Sequence, residues 1–431
     1  MANLAINGGK KAVTQLTPYS SLGKEEARAV AEVMETGCLS RFLGAWGDDF
    51  LGGDKVLELE SLWSSKFNCK YSISVNSATS GLYAAIGAVG VEPGDEVIVP
   101  PYTMSATAMA PLVYGGIPVF ADIEAETFCI DIKSVEAKIN KKTRAIIAVN
   151  LFGHPARLKE LKALADRHGI FLIEDNAQAP LAREGEQYSG TIGHIGVFSL
   201  NYHKQIHAGE GGVCVTDDSK LAARLQMIRN HAENAVEPAQ VEDLSNLVGF
   251  NYRLTELGAA IATEQLKKAE TLVQGRQEIA EKLTRAMAGL NGLTPPVVRD
   301  NCRHVYYTWS MKYDETVVGV PRKVFCEALK AEGVPVFEGY VRPLYLLPIF
   351  QKRIALGAGG FPFNLSQSQL TYEKGLCPVT ERLHERELMG LGVCSYLLPD
   401  NELQQVIDAL HKVYEARTEL QSQVRQTATA K

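Results

Sequence analysis

The chain has no C-x-x-C and no closely paired cysteines: its eight cysteines stand singly from Cys38 to Cys394. That spacing offers neither the framework of a disulfide-stapled secreted domain nor the ligand pairs of a structural zinc site. A reduced, cytoplasmic setting is expected, and no metal. The chain also lacks a positive balance. Lys and Arg number 44 against 50 Asp and Glu, a net charge of −6, which argues against a nucleic-acid partner. Long apolar runs are missing too. The most apolar window, residues 101–120, is interrupted by Gly115, Gly116 and Pro118, so it reads as a buried helix followed by a strand, with no membrane insertion. The first residues lack the basic start and apolar stretch of a secretory signal, and no internal repeat or low-complexity block is present. What remains is an ordinary globular composition, 46% hydrophobic and 22% charged over 431 residues, enough for a large core and more than one domain.

From about Asp54 to Thr216, short β-branched runs alternate with longer helical stretches. The runs are residues 71–75, 96–100, 117–121, 144–149, 170–173, 196–200 and 212–215, with helix-like segments such as 80–89 and 158–168 between them. This alternation predicts an α/β fold with a mainly parallel central sheet, both faces covered by helices. Ahead of it, residues 24–35 read as an amphipathic helix stopped by Gly37, and residues 40–53 as an ordered loop rich in Gly, Asp and aromatics. After about Glu270 the composition changes. Strands near 306–312, a helix near 322–332 and a Pro/aromatic loop over 340–363 predict a smaller α/β domain. The expected partition is an N-terminal helix and loop segment (1–53), a large cofactor-binding domain (54–270), a small C-terminal domain (271–416) and a frayed polar tail (417–431).

Four segments carry candidate chemistry. Val75-Asn-Ser-Ala-Thr-Ser-Gly81 ends a strand in small hydroxyl residues that open a helix. It serves either as a plain N-cap or, through free N–H groups and hydroxyls, as a seat for a phosphate. Phe171-Leu-Ile-Glu-Asp-Asn-Ala-Gln178 delivers Glu174 and Asp175 at the carboxyl end of an apolar strand, where open α/β sheets bind ligands. A buried Asp there pairs with a pyridinium nitrogen or caps the next helix. The segment from Gly196 to Gly212 runs a strand into a polar turn holding Lys204, then returns through Gly209, Gly211 and Gly212. Most lysines are solvated; one held between apolar strands beside glycines that permit close backbone approach favours function. The fourth segment, Gly249-Phe-Asn-Tyr-Arg-Leu-Thr-Glu-Leu257, sets Asn251 and Arg253 just ahead of an Ala-rich helix.

Together these motifs resemble the sugar aminotransferase family often called DegT/DnrJ/EryC1/StrS, of the aspartate-aminotransferase-like fold. Its S-x-N/H-x-x-K with a G-E-G-G return stands here as Ser199, Asn201, Lys204 and Gly209 to Gly212. Its E-D-x-A-Q/H is Glu174 to Gln178, its N-Y-R-h-T/S-E is Asn251 to Glu256, and its G-D-E-V-I-V-P is Gly94 to Pro100. The resemblance runs from Leu16 to about Tyr414. It implies a pyridoxal 5′-phosphate (PLP) aminotransferase in which Lys204 carries the cofactor as a Schiff base and Asp175 pairs with the pyridine nitrogen. It further implies that Gln178 contacts the ring hydroxyl oxygen and that Ala78, Thr79 and Ser199 hold the phosphate. Asn251 would reach the phosphate of the neighbouring subunit, making a homodimer with shared active sites. The amino group would come from glutamate or glutamine and pass through pyridoxamine 5′-phosphate. Its destination would be a keto or aldehyde sugar, a sugar acid or a ketocyclitol, in amino-sugar or polysaccharide biosynthesis.

The chain departs from the family pattern in three places. Where an aromatic usually stacks on the ring, it has Thr103-Met-Ser-Ala-Thr107, leaving Met104 or the adjacent Tyr102 for that role. Ala78 replaces a common glycine, and Tyr345 stands where many members have histidine. Candidate substrate contacts are therefore Tyr102, His203, Arg253, Arg342 and Tyr345, the two arginines being able to pair with a sugar-acid carboxylate. The opening residues 4–9 and the loop 41–53 look more like a cyclitol-type subgroup than a nucleotide-sugar one. Two alternatives stay on the same fold. A sister branch, the PLP-dependent sugar dehydratases, has histidine in place of this lysine, and Lys204 counts against it. A non-catalytic regulatory protein would be expected to lack Lys204 or Asp175. The single H-x-x-x-H, His203 to His207, straddles Lys204 in a turn and is not a metal motif.

Overall fold

Seven of the β-branched runs pair into one sheet in the computed structural model, which describes residues 3–366 and 371–429. From one edge the order is Tyr71–Val75, Gly212–Thr216, Ile195–Ser199, Phe171–Asp175, Thr143–Val149, Glu96–Val99 and Ile117–Phe120. The last five are mutually parallel. Gly212–Thr216 lies antiparallel between its two neighbours. The α/β fold with a mainly parallel sheet is thus the one the alternation predicts. Because side chains alternate across a strand, each run feeds two cores. Ile147, Ile173 and Val197 face one side, against Leu82, Ile86 and Ile228 of the helices Ala78–Ala88 and Ser219–Arg229. Ile146 and Leu172 face the other, against Leu158, Leu161 and Leu164 of the helix Leu158–His168. Phe198 and Val213 pack there on Trp63 and Phe67 of the helix Asp54–Phe67.

A second sheet, antiparallel and four-stranded, orders Leu293–Thr294, Trp309–Tyr313, Leu388–Leu391 and Val336–Glu338. The helices Arg322–Ala331 and Asp400–Glu415 share its core. The strand expected from Tyr306 begins three residues later. Tyr306 has φ 47, a left-handed conformation that a strand cannot contain, and its ring stacks on His304 with centroids 3.9 Å apart. The polar tail expected from residue 417 is helical over Arg417–Thr429, with Leu420 buried in the C-terminal core; residues 430 and 431 of that tail lie outside the described residues. The N-terminus joins the same core. Leu4 and Val13 are buried there, and the N–H groups of Ala5 and Ala12 donate to the buried carboxylate of Glu332.

Backbone hydrogen bonds at two places bring the C-terminal half to the carboxyl edge of the large sheet. Tyr307 N donates to Phe152 O at 2.8 Å, beyond the strand Thr143–Val149. Gly153 beside it, at φ +100, has Tyr306 N only 2.7 Å from where a Cβ would sit, so no larger residue permits the approach. Leu344 N donates to Pro101 O at 2.8 Å, beyond the strand Glu96–Val99. Among the described residues no helix is long and apolar enough to cross a membrane, and no cluster of His, Cys, Asp and Glu could hold a metal ion.

Candidate active site

The strand Phe171–Asp175 ends in two carboxylates that share a backbone but not a face. Glu174 points toward the turn that follows the short hairpin Arg183–Tyr188, where it accepts from the N–H groups of Gly190, Ile192 and Gly193 and from Asn150 Nδ2. It is spent on holding that turn. Asp175 points the other way, into a cavity of about 210 Å³ at the carboxyl edge of the sheet. Thr107 Oγ1 donates to its Oδ2 at 2.7 Å and Ala177 N to its Oδ1 at 3.2 Å. Burial pushes its carboxyl above the usual range, opposed by these donors and by Lys204.

Opposite Asp175 the helix Ala78–Ala88 begins. Ser77 caps it, its Oγ accepting from Ser80 N at 3.0 Å. The cap uses the third N–H of the helix and leaves those of Ala78 and Thr79 without intrahelical partners. Ala78 and Thr79, together with Ser199 from the end of the strand Ile195–Ser199, line the cavity. The returning strand passes directly beneath. At Gly212 a Cβ would lie 2.7 Å from Ala78 N and 2.9 Å from Phe198 O, so only glycine lets the strand run under the helix start.

Lys204 sits on the turn between the strands Ile195–Ser199 and Gly212–Thr216. The turn is closed by Ala208 N to Leu200 O at 2.9 Å and tethered by Gln205 Nε2 to Gln178 O at 2.8 Å. The lysine is 8% exposed and makes no ion pair among the described residues; its Nζ lies 4.4 Å from the ring centroid of Tyr307. Burial lowers its amine to about 8, although Asp175 pulls the other way. An amine with that value is about one-tenth neutral at pH 7, far more than an ordinary lysine, and the neutral form is the nucleophile. Neighbouring His203 lines the same cavity; burial and then the Lys204 charge lower it to about 4.

Gln178 is held in one orientation. Its Oε1 accepts from Phe152 N at 2.8 Å, so its Nε2 is the end that donates, to the Tyr340 hydroxyl at 3.1 Å. Tyr340 and Tyr307, both from the C-terminal half, complete the cavity wall. Neither was among the sequence candidates, and nor was Thr107, the partner of Asp175. The available signal for Thr107 was a lone hydroxyl in an otherwise apolar helix, Ala106–Val113.

The other candidates separate. Met104 lines the cavity at 59% exposure, whereas Tyr102 is buried beneath it, its hydroxyl accepting from Tyr340 N at 2.7 Å. Tyr102 thus has neither ring-stacking nor substrate access. Tyr345 is corrected in the same way. The Leu344 to Pro101 bond turns it inward, where it is 0% exposed, tilts on Phe120 and donates its hydroxyl to Glu381. Arg342 is exposed and does not line the cavity, and Arg253 is tied to Asn251 Oδ1 at 2.8 Å and to Phe42 O at 3.3 Å. Asn251 is likewise exposed and outside the cavity of its own chain. His207 lies away from the cavity, its N–H donating to Gln265 Oε1 at 3.3 Å.

Comparison with known proteins points to one group. Residues 21–411 match the family model described as the DegT/DnrJ/EryC1/StrS aminotransferase family. The spore coat polysaccharide biosynthesis protein SpsC of Bacillus subtilis (strain 168) is 32% identical over 373 residues, 84% of this chain and 92% of that protein. Among solved structures, DesV of S. venezuelae, in complex with a ketimine intermediate, has a TM-score of 0.78 and 27% identity. It covers 93% of this chain and 99% of its own. DesI, solved in the presence of its TDP-sugar product, has a TM-score of 0.80 and 25% identity, covering 99% of each chain.

Proposed function

Because the chain belongs to the DegT/DnrJ/EryC1/StrS aminotransferase family, and so is a PLP-dependent aminotransferase of amino-sugar biosynthesis, we propose that Lys204 carries its cofactor. The single observation behind this is the buried Lys204 amine, without an ion pair among the described residues, facing the same cavity as the buried Asp175 carboxylate and the open helix start. That donor set fits PLP: N–H groups and hydroxyls for a phosphate, a carboxylate for a ring nitrogen and a nucleophilic amine for an aldehyde. Bound there, PLP supplies an electron sink and a carbonyl that carries the amino group.

The protein's own groups divide the work. Asp175 keeps the ring nitrogen protonated. Ala78 and Thr79 bind the phosphate through backbone N–H groups, and Thr79 and Ser199 add hydroxyls. The Gln178 amide donates to the ring oxygen, and Met104 covers the ring. Lys204 Nζ, when free, would hold and return the proton that moves during transfer. We take glutamate or glutamine as donor and a sugar-like ketone or aldehyde as acceptor. Among the described residues lining the cavity only Lys204 is cationic, while Asp175 and Glu210 are acidic, which does not favour a sugar-acid carboxylate. The TDP-sugar product of DesI supports a nucleotide-linked acceptor, with a ketocyclitol as the competing reading. The active form is read as a cytoplasmic homodimer, since Asn251 lies outside its own cavity and can serve a neighbour's phosphate.

The test is optical. Purified protein should absorb as a yellow PLP adduct and lose that band with glutamate or glutamine. Adding each acceptor class in turn should restore it only for the true one. A colourless protein that gains no band with added PLP would refute the assignment of Lys204.

A further inference from the structure

We propose that Tyr340 is a positioning residue of the cofactor site, acting through Gln178 on the ring-oxygen edge. The proposal rests on the reading of Gln178 as the donor to that oxygen. Its own ground is a set of contacts that leaves Tyr340 little freedom. The Gln178 amide is fixed at its oxygen by Phe152 N, and one Nε2 hydrogen goes to the Tyr340 hydroxyl. An amide nitrogen carries two hydrogens. With one engaged by Tyr340, the plane of the amide is set and the second hydrogen has one direction left, into the cavity. Without Tyr340 the amide is held at one end only.

Tyr340 is itself built in from behind. Its N–H donates to Tyr102 Oη at 2.7 Å. Tyr102 Oη, already an acceptor there, lies 3.4 Å from His384 Nδ1 and has its own proton to offer that nitrogen. His384 belongs to the π-helical turn Leu383–Glu387, which presents backbone carbonyls to Arg322. The buried guanidinium of Arg322 gathers those of Leu383, His384, Glu385 and Leu388. A chain of contacts therefore runs from Arg322 through the π turn, His384 and Tyr102 to Tyr340 and Gln178. It crosses from the C-terminal half to the carboxyl edge of the large sheet. A rigid chain of this kind holds an amide plane better than solvent would.

The chemical consequence has a definite sign. A donor fixed on the ring oxygen stabilises its ionised form, so the proton shared between that oxygen and Lys204 Nζ is released more readily. Loosening the donor makes the pair more basic. The titratable groups lining the cavity are Asp175, His203, Lys204, Glu210, Tyr307 and Tyr340, and Tyr340→Phe changes none of the others.

The experiment titrates the absorbance of the bound cofactor in the holoenzyme from about pH 5 to about pH 10. Tyr340→Phe is expected to move the midpoint upward by about one pH unit with the cofactor still bound. Tyr102→Phe, which keeps Tyr340 but removes its anchor, should move it the same way by about half as much. Gln178→Leu is the control. A shift in Gln178→Leu with both tyrosine variants titrating like the parent overturns the role of Tyr340 and leaves the reading of Gln178 intact. No shift in any of the three overturns both. If Tyr340→Phe fails to fold, a parental midpoint in Tyr102→Phe decides against the proposal.

Discussion

The carboxyl edge of the large sheet and the aromatic wall that faces it reach the same cavity by different routes. The edge residues are placed locally. Asp175 ends a strand, Lys204 occupies the turn between two strands and Thr79 opens a helix, so each position follows from a few residues of chain. Tyr307 and Tyr340 arrive from the C-terminal half, through the contacts at Phe152, Gly153, Pro101 and Tyr102. Chemistry is thus written at the edge, while the wall sets its environment. Perturbing the edge should remove the reaction; perturbing the wall should tune it.

The largest effect belongs to Lys204. Lys204→Ala should abolish turnover and the lysine-linked absorbance while leaving the thermal transition near that of the parent, since removing a buried amine without an ion pair costs little stability. Turnover comparable to the parent would end the case for a chemical edge. Next comes the paired contrast at the end of the strand. Asp175→Asn should lower kcat by about 10²–10³-fold, the usual loss when one fixed electrostatic partner of a reacting group is removed. Glu174→Gln should instead cost stability, on the order of 1–3 kcal/mol, with kcat changed little. Equal kinetic losses at the two positions would break the comparison between adjacent carboxylates.

How much of this was legible in the sequence follows the same division. All seven strands of the large sheet stood out as short β-branched runs, because a strand buried on both faces reads as a continuous apolar segment. Glu174 and Asp175 were visible as a pair and the family motif singled out Asp175; the register of the strand supplies the physical reason, since adjacent residues face opposite sides. Tyr345 misled because its neighbourhood matches a family motif, while the backbone bond of Leu344 turns its ring into the core. Tyr340 and Tyr307 gave no local signal. Tyr307 depends on left-handed Tyr306 and on Gly153, and Tyr340 on Tyr102, partners far apart in the chain. The helix after Arg417 was also hidden, since its apolar face is narrow and Leu420 is its buried anchor.

A smaller effect joins the two regions. In the protein without cofactor the Lys204 amine titrates at about 8, so the rate of cofactor loading should rise about tenfold from pH 7 to pH 9 and level off above, as the neutral nucleophile accumulates. Linkage runs the same way. The folded value lies below the unfolded one, so stability increases as pH rises between about 8 and the ordinary lysine value of 10.5. Tyr307 is part of what buries this amine. Tyr307→Ala should admit water, raise the pKa and move the loading curve to higher pH. A curve that stays in place would show that the wall does not set the state of Lys204.

The smallest effect concerns Thr107, which acts on the edge from one layer behind it. Its hydroxyl donates to Asp175 Oδ2 at 2.7 Å from a helix whose other buried side chains are apolar. Thr107→Val conserves the shape and removes the donor, and a hydrogen bond to a charged group contributes about 1.5 kcal/mol. The carboxylate, already disfavoured by burial, becomes harder to ionise, and the hold proposed for it on the ring nitrogen should weaken. Turnover should fall by roughly tenfold for that energy, with the loss growing as pH is lowered because protonated Asp175 can no longer accept. Thr107→Ser restores a donor at the same atom and should recover most of the rate. Recovery by serine, and not by valine, separates an electrostatic role for Thr107 from simple packing, since valine matches threonine in volume and serine does not.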